Sequence, residues 1–132
     1  MMKILIVVVM VCFTMSSCKK EKQTLPGLVG KWELRRMYGG FGYRDSTYAP
    51  GNGNIYQFNR DSTYKRLENG NLTEAGFFHI KKNGYSAGGS EFDGAILFNN
   101  GAYGDAIALK DNKLTLGTTV TDGIASDYEK IP

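Results

Sequence analysis

The chain has 132 residues, 42% of them hydrophobic, and a formal net charge of +3. That is enough chain for one domain with a single core and too little for two. The positive charge sits near the N-terminus. From Gly27 onward twelve Lys and Arg meet twelve Asp and Glu, so the body of the protein lacks the basic surface that nucleic-acid binding requires.

Lys3 is followed by an unbroken apolar run from Ile4 to Phe13. As a helix this run would span about 15 Å, roughly half the hydrocarbon thickness of a bilayer. It therefore reads as the apolar region of a signal peptide and not as a membrane span. Small polar residues then lead into Met15-Ser16-Ser17-Cys18, a block that resembles a bacterial lipobox, with Met15 where Leu is commonest. The resemblance implies a signal peptide over residues 1–17 and a lipidated Cys18 carrying palmitate-type acyl chains. It also implies an address in the bacterial cell envelope, with the outer membrane as the expected site. Lys19-Lys20-Glu21-Lys22-Gln23-Thr24 is short, charged and solvated, so residues 18–26 read as a flexible tether. Cys-Lys-Lys at this position is similar to the lipoproteins of Bacteroidetes-type bacteria. Glu21 is the sole acidic residue of the tether, which leaves open whether the domain faces the periplasm or the cell surface. With Cys12 in the signal and Cys18 acylated, no thiol is left for a disulfide.

Beyond Pro26, turn chemistry recurs at short intervals: Gly39-Gly40, Gly51-Asn52-Gly53, Asn69-Gly70, Asn83-Gly84, Asn99-Asn100-Gly101 and Asp111-Asn112. Asn, Asp and Gly tolerate the positive φ of tight hairpins. Between the turns lie short runs that alternate with period two. Tyr56 and Phe58 share a face, as do Gly76, Phe78 and Ile80, Ile107 and Leu109, and Leu114 and Leu116. This pattern predicts antiparallel strands with one buried face. Strands are expected near 31–38, 54–59, 62–68, 72–81, 91–98, 104–110, 113–119 and 125–131, with a ninth near 43–48. A single helical turn over Leu25–Gly30, capped by Thr24, is the only helical expectation. Consecutive strands with short connections pair as hairpins, and closure at about eight strands removes the exposed edges. Residues 27–132 are thus expected to form an all-β domain, a small antiparallel up-and-down barrel. An open sandwich is the second architecture.

Gly30-Lys31-Trp32 at the start of the first strand resembles the Gly-x-Trp signature of lipocalins and related calycin barrels. In those families the Trp plugs the closed end and a basic residue of the last strand packs over its indole. The resemblance implies a lipocalin-like barrel with Gly30, Trp32 and Lys130 as its structural signature. The run from Tyr56 to Tyr64 is similar to a hairpin of bacterial lipocalin-like lipoproteins. This chain is shorter than ligand-carrying lipocalins and lacks their disulfide and their helix before the last strand.

Motifs for catalysis are sparse. His79 is the only histidine and shares its strand face with Phe77, opposite Phe78, so it reads as an exposed strand residue. Without a second His or a free Cys, no metal site is expected. Glu91 and Asp93 would share one strand face as a pair of carboxylates, but solvated edge charges are the simpler reading. No nucleophile motif and no phosphate loop are found, so neither an enzyme nor a cofactor is expected. The eight tyrosines suit half-buried strands and could also wall a pocket. The expectation is a membrane-anchored binding protein holding a small apolar or glycan-like ligand, with Tyr56, Tyr64, Phe78 and Phe98 as interior contacts. The alternative is a protein-interaction or envelope-structural module with a filled barrel.

Overall fold

The alternating runs form eleven strands: β1 Gly30–Gly39, β2 Arg44–Thr47, β3 Ile55–Phe58, β4 Thr63–Glu68, β5 Asn71–Lys81, β6 Tyr85–Ala87, β7 Ser90–Phe92, β8 Gly94–Phe98, β9 Asp105–Lys110, β10 Lys113–Gly117 and β11 Ile124–Ile131. A computed structural model describes residues 25–82, 85–87, 90–102, 104–118 and 122–132. Residues 1–24, with the expected signal peptide, Cys18 and Thr24, lie outside the described residues. Nine strands make one sheet, β11-β10-β9-β8-β5-β4-β3-β1-β2, and β11 also pairs with β1. That pairing, from Lys31 opposite Ile131 to Gly39 opposite Ile124, closes the sheet into an antiparallel barrel of eight strands with β2 as an addition.

β2 and β3 share one edge of β1. β2 takes its upper half, Arg36–Gly39, and β3 its lower half, Gly30–Glu33. The chain leaves β1 between them because Glu33 holds the intervening 48–54 loop outward. Its carboxylate accepts the Gly51 N–H at 2.8 Å and the Gly53 N–H at 3.3 Å, and Arg35 donates to it at 2.6 Å. Opposite this loop β1 carries a bulge between Leu34 and Arg36, which adds local twist to the wall.

The expected strand over 91–98 is broken. Asp93 is a bend: its N–H donates to the Ile107 carbonyl and its carboxylate accepts the Leu109 N–H at 2.7 Å. β7 belongs to a separate hairpin with β6, and only β8 enters the barrel. Glu91 and Asp93 thus do not share a strand face, and the Glu91 side chain lies outside the described residues. The helical expectation over Leu25–Gly30 also fails. A single hydrogen bond, Leu28 N–H to the Leu25 carbonyl, closes one turn there, and no helix forms among the described residues. Leu25, read from sequence as tether, packs against the core beside buried Leu28.

Parity follows the sequence pattern. Phe58, Tyr64, Ile80, Ile96, Ile107, Leu114 and Leu116 are buried inside, whereas Phe77 is 66% exposed and His79 is exposed. A one-residue slip of β5 would exchange those faces.

Candidate functional site

The two ends of the barrel differ. At the end where β1 starts, Trp32 is fully buried and its Nε1–H donates to the Leu28 carbonyl at 2.7 Å. Lys130 lies over the indole with Nζ 5.3 Å from the ring and donates to the Gly27 carbonyl at 3.1 Å. Gly30, at φ 139°, leaves room for this, because a Cβ there would stand 2.8 Å from Lys130 Cε. Gly30, Trp32 and Lys130 therefore form one closed plug.

Above the plug the expected interior residues meet. Tyr56 stacks on Phe58 and on Phe98, at centroid distances of 5.6 and 5.7 Å. Tyr64 packs on Phe98 at 4.6 Å and Phe78 meets Phe58 edge-on at 5.1 Å. Tyr56, Tyr64, Phe78 and Phe98 are thus brought together as one aromatic cluster. The rings fill the lower and middle barrel with each other, so Tyr56 alone of the four lines the space above, and Tyr64, Phe78 and Phe98 lie beneath it. An eight-stranded barrel is just narrow enough for that.

The space lies higher, at an open mouth lined by Tyr48, Asn54, Asn69, Thr118 and Ile124. Two cavities share Tyr56, Arg66, Ser126 and Tyr128. One, of about 320 Å³, has Leu34, Met37, Ile55 and Leu67 on its apolar side. The other, of about 190 Å³, adds Asp105, Leu116 and Ile124 to its lining. Arg66 stands between them, its guanidinium 5.6 Å from the Tyr56 ring centroid, paired with Glu68 at 2.9 Å and Glu74 at 3.9 Å. Glu74 also accepts a short hydrogen bond from the Tyr64 hydroxyl. Tyr128 meets Tyr56 edge-on at 5.5 Å.

Electrostatics at the mouth reflect this crowding. Burial pushes the Tyr56 hydroxyl up to about 12, with Arg66 opposing, and pushes Tyr128 and Tyr64 above the usual phenol range. Burial also raises the Asp105 carboxyl, against the pull of Arg66. Removing a charged form from water disfavours it, which is why all four shifts run upward.

Arg66, Asp105, Glu74 and Tyr128 were not named as site residues from sequence. The signal was parity. Arg66 is two residues beyond inward Tyr64, Asp105 two before inward Ile107, and Glu74 four before inward Phe78. Charged residues on the inward parity at strand ends mark the wet rim of a barrel. No group of three or more His, Cys, Asp or Glu among the described residues is arranged to hold a metal ion. No described helix is long and apolar enough to cross a membrane.

Compared with protein-family models, with curated proteins and with solved structures, the chain matches none.

Proposed function

We propose that this chain is a lipid-anchored lipoprotein of the bacterial cell envelope, held in the outer membrane through Cys18, whose lipocalin-like barrel takes a small ligand in its open mouth. Residues 1–17 are its signal peptide and residues 18–24 its tether. We read it as a binding protein and not an enzyme. The observation that carries this reading is the pair of adjoining mouth cavities, with aliphatic side chains on one side and Tyr56, Arg66 and Tyr128 on the other. Binding sites for small molecules have this make-up, an apolar wall with a few convergent polar groups. A glycan-like or amphiphilic molecule suits it better than a wholly apolar one, because Arg66, Glu68 and Asp105 rim the space.

Native mass spectrometry of the full protein, purified from membranes, tests both halves of the reading. A mass matching a chain cleaved before Cys18 and acylated there, with one further small molecule retained, is the expected result. A chain that keeps residues 1–17 would overturn the anchor, and a barrel that is always empty would count against the ligand. One observation favours a second reading, a protein-interaction module: the aromatic cluster fills the barrel below the mouth. In that case crosslinking in intact cells traps one dominant protein partner.

A further inference from the structure

The charges at the mouth do not balance, and the imbalance points to a ligand class. Among the described residues Arg66 is the one cation that lines both cavities, and its guanidinium pairs with Glu68 and, at longer range, with Glu74. Asp105 is left over. It is half-buried at the start of β9, and its carboxylate makes no hydrogen bond and no direct ion pair among the described residues. Leaving a carboxylate partly out of water without a partner is unfavourable. A second observation is independent of the carboxylates. Tyr56 is only 7% exposed, lines both cavities, and its hydroxyl finds no hydrogen-bond partner among the described residues. No buried side-chain oxygen or nitrogen of the described residues lacks a partner, so this hydroxyl is the part of Tyr56 that stays open to the cavity.

An anionic ligand would have to approach three carboxylates, Glu68, Glu74 and Asp105, with the nearby Arg66 guanidinium already paired. A cation meets the opposite situation: an unpaired carboxylate, a free phenol oxygen and aromatic rings that attract positive charge. Resting on the reading of the mouth as a small-ligand site, we propose that it receives a small organic ammonium ion. Its charged head sits against Asp105 and the Tyr56 hydroxyl, and its apolar body lies along Leu116 and Ile124. The cavity of about 190 Å³ admits a body of benzene size, which occupies an apolar cavity of about 150 Å³.

Three probes of one shape and different charge test the assignment: benzylammonium, benzyl alcohol and benzoate, titrated calorimetrically into the full acylated protein. Benzylammonium should bind about tenfold tighter than the alcohol, the ratio that one partly desolvated charge pair supplies, and benzoate should bind weakest. Asp105→Asn should erase the gap between ammonium and alcohol. Tyr56→Phe removes only a hydroxyl without an internal partner, so it should keep its melting temperature while losing affinity severalfold. It keeps the proposal open to refutation should Asp105→Asn fail to fold. Equal or tighter binding of the alcohol or the benzoate overturns the ammonium assignment. So does a monosaccharide that binds where benzylammonium does not, and that result leaves the small-ligand reading standing. Failure of every probe, together with an empty barrel in membrane-purified protein, overturns both.

Discussion

Replacing Trp32 by Phe removes three things from the closed end. The Leu28 carbonyl loses its 2.7 Å donor in a fully buried setting, and an orphaned buried polar group costs about 1–3 kcal/mol. Lys130 loses the indole face beneath it, a contact worth about 0.5–1 kcal/mol. The missing ring atoms leave a small void, about 1 kcal/mol in lost burial. Trp32→Phe is therefore expected to destabilise the barrel by about 3–4 kcal/mol. For a domain of this size that lowers the melting temperature by about 15–25 °C. Urea unfolding followed by far-ultraviolet circular dichroism measures it without relying on the single tryptophan. Lys130→Met alone should cost about 1 kcal/mol, and the double variant should fall short of additivity by about 0.5–1 kcal/mol. A loss below about 1 kcal/mol for Trp32→Phe, or strict additivity with Lys130→Met, would refute the plug as a load-carrying element.

Glu33 has a pKa below the ordinary 4.5: burial pushes it up, but the Gly51 amide, Arg35 and the Gly53 amide together outweigh that. Because its folded-state pKa is depressed, it contributes stability above pH 4.5 that is lost as pH falls through the folded value. Denaturation midpoints of Glu33→Gln should fall less steeply below that pH than those of the parent. At the alkaline end Tyr56 is raised to about 12, so its contribution is complete below pH 10 and is lost as pH rises toward 12. Tyrosinate absorbance should show a late-titrating class whose appearance coincides with unfolding, and a single titration near the ordinary phenol value would contradict the buried cluster. The register of β5 predicts unequal neighbours. Phe78→Ala, which removes the partner of Phe58, should cost about 3 kcal/mol. Phe77→Ala, on the exposed face, should change stability by less than about 0.5 kcal/mol; similar losses for both would mean the wrong face had been assigned. Gly30→Ala should destabilise by about 1–3 kcal/mol, because its Cβ meets Lys130 Cε in a backbone conformation that side chains rarely adopt. A variant as stable as the parent would show that Lys130 moves aside freely.

Local pattern by itself determined a good deal of this protein. Period-two alternation placed Tyr56, Phe58, Phe78 and Ile80 on inward faces because side-chain direction in a strand is set by the backbone within a few residues. Turn residues marked nearly every strand end for the same reason. Where a tertiary partner competes with that local rule, the pattern failed. Asp93 looks like one more strand position until Ile107 and Leu109 are brought beside it and their backbone groups bend the chain there. The short turn at Leu25 likewise goes with the packing of Leu25 against the core beside buried Leu28.

Closure, and with it the site, was decided only by the tertiary structure. The eight-strand count made a barrel plausible, but the pairing of β1 with β11 joins residues about a hundred positions apart, and no local signal encodes it. The four aromatic residues chosen as interior contacts did converge, yet in filling one another's space they moved the cavity upward to Arg66, Asp105 and Tyr128. Volume is a property of all the strands at once. A sequence states which side chains point inward; only the closed barrel states how much room they leave, and next to which charge.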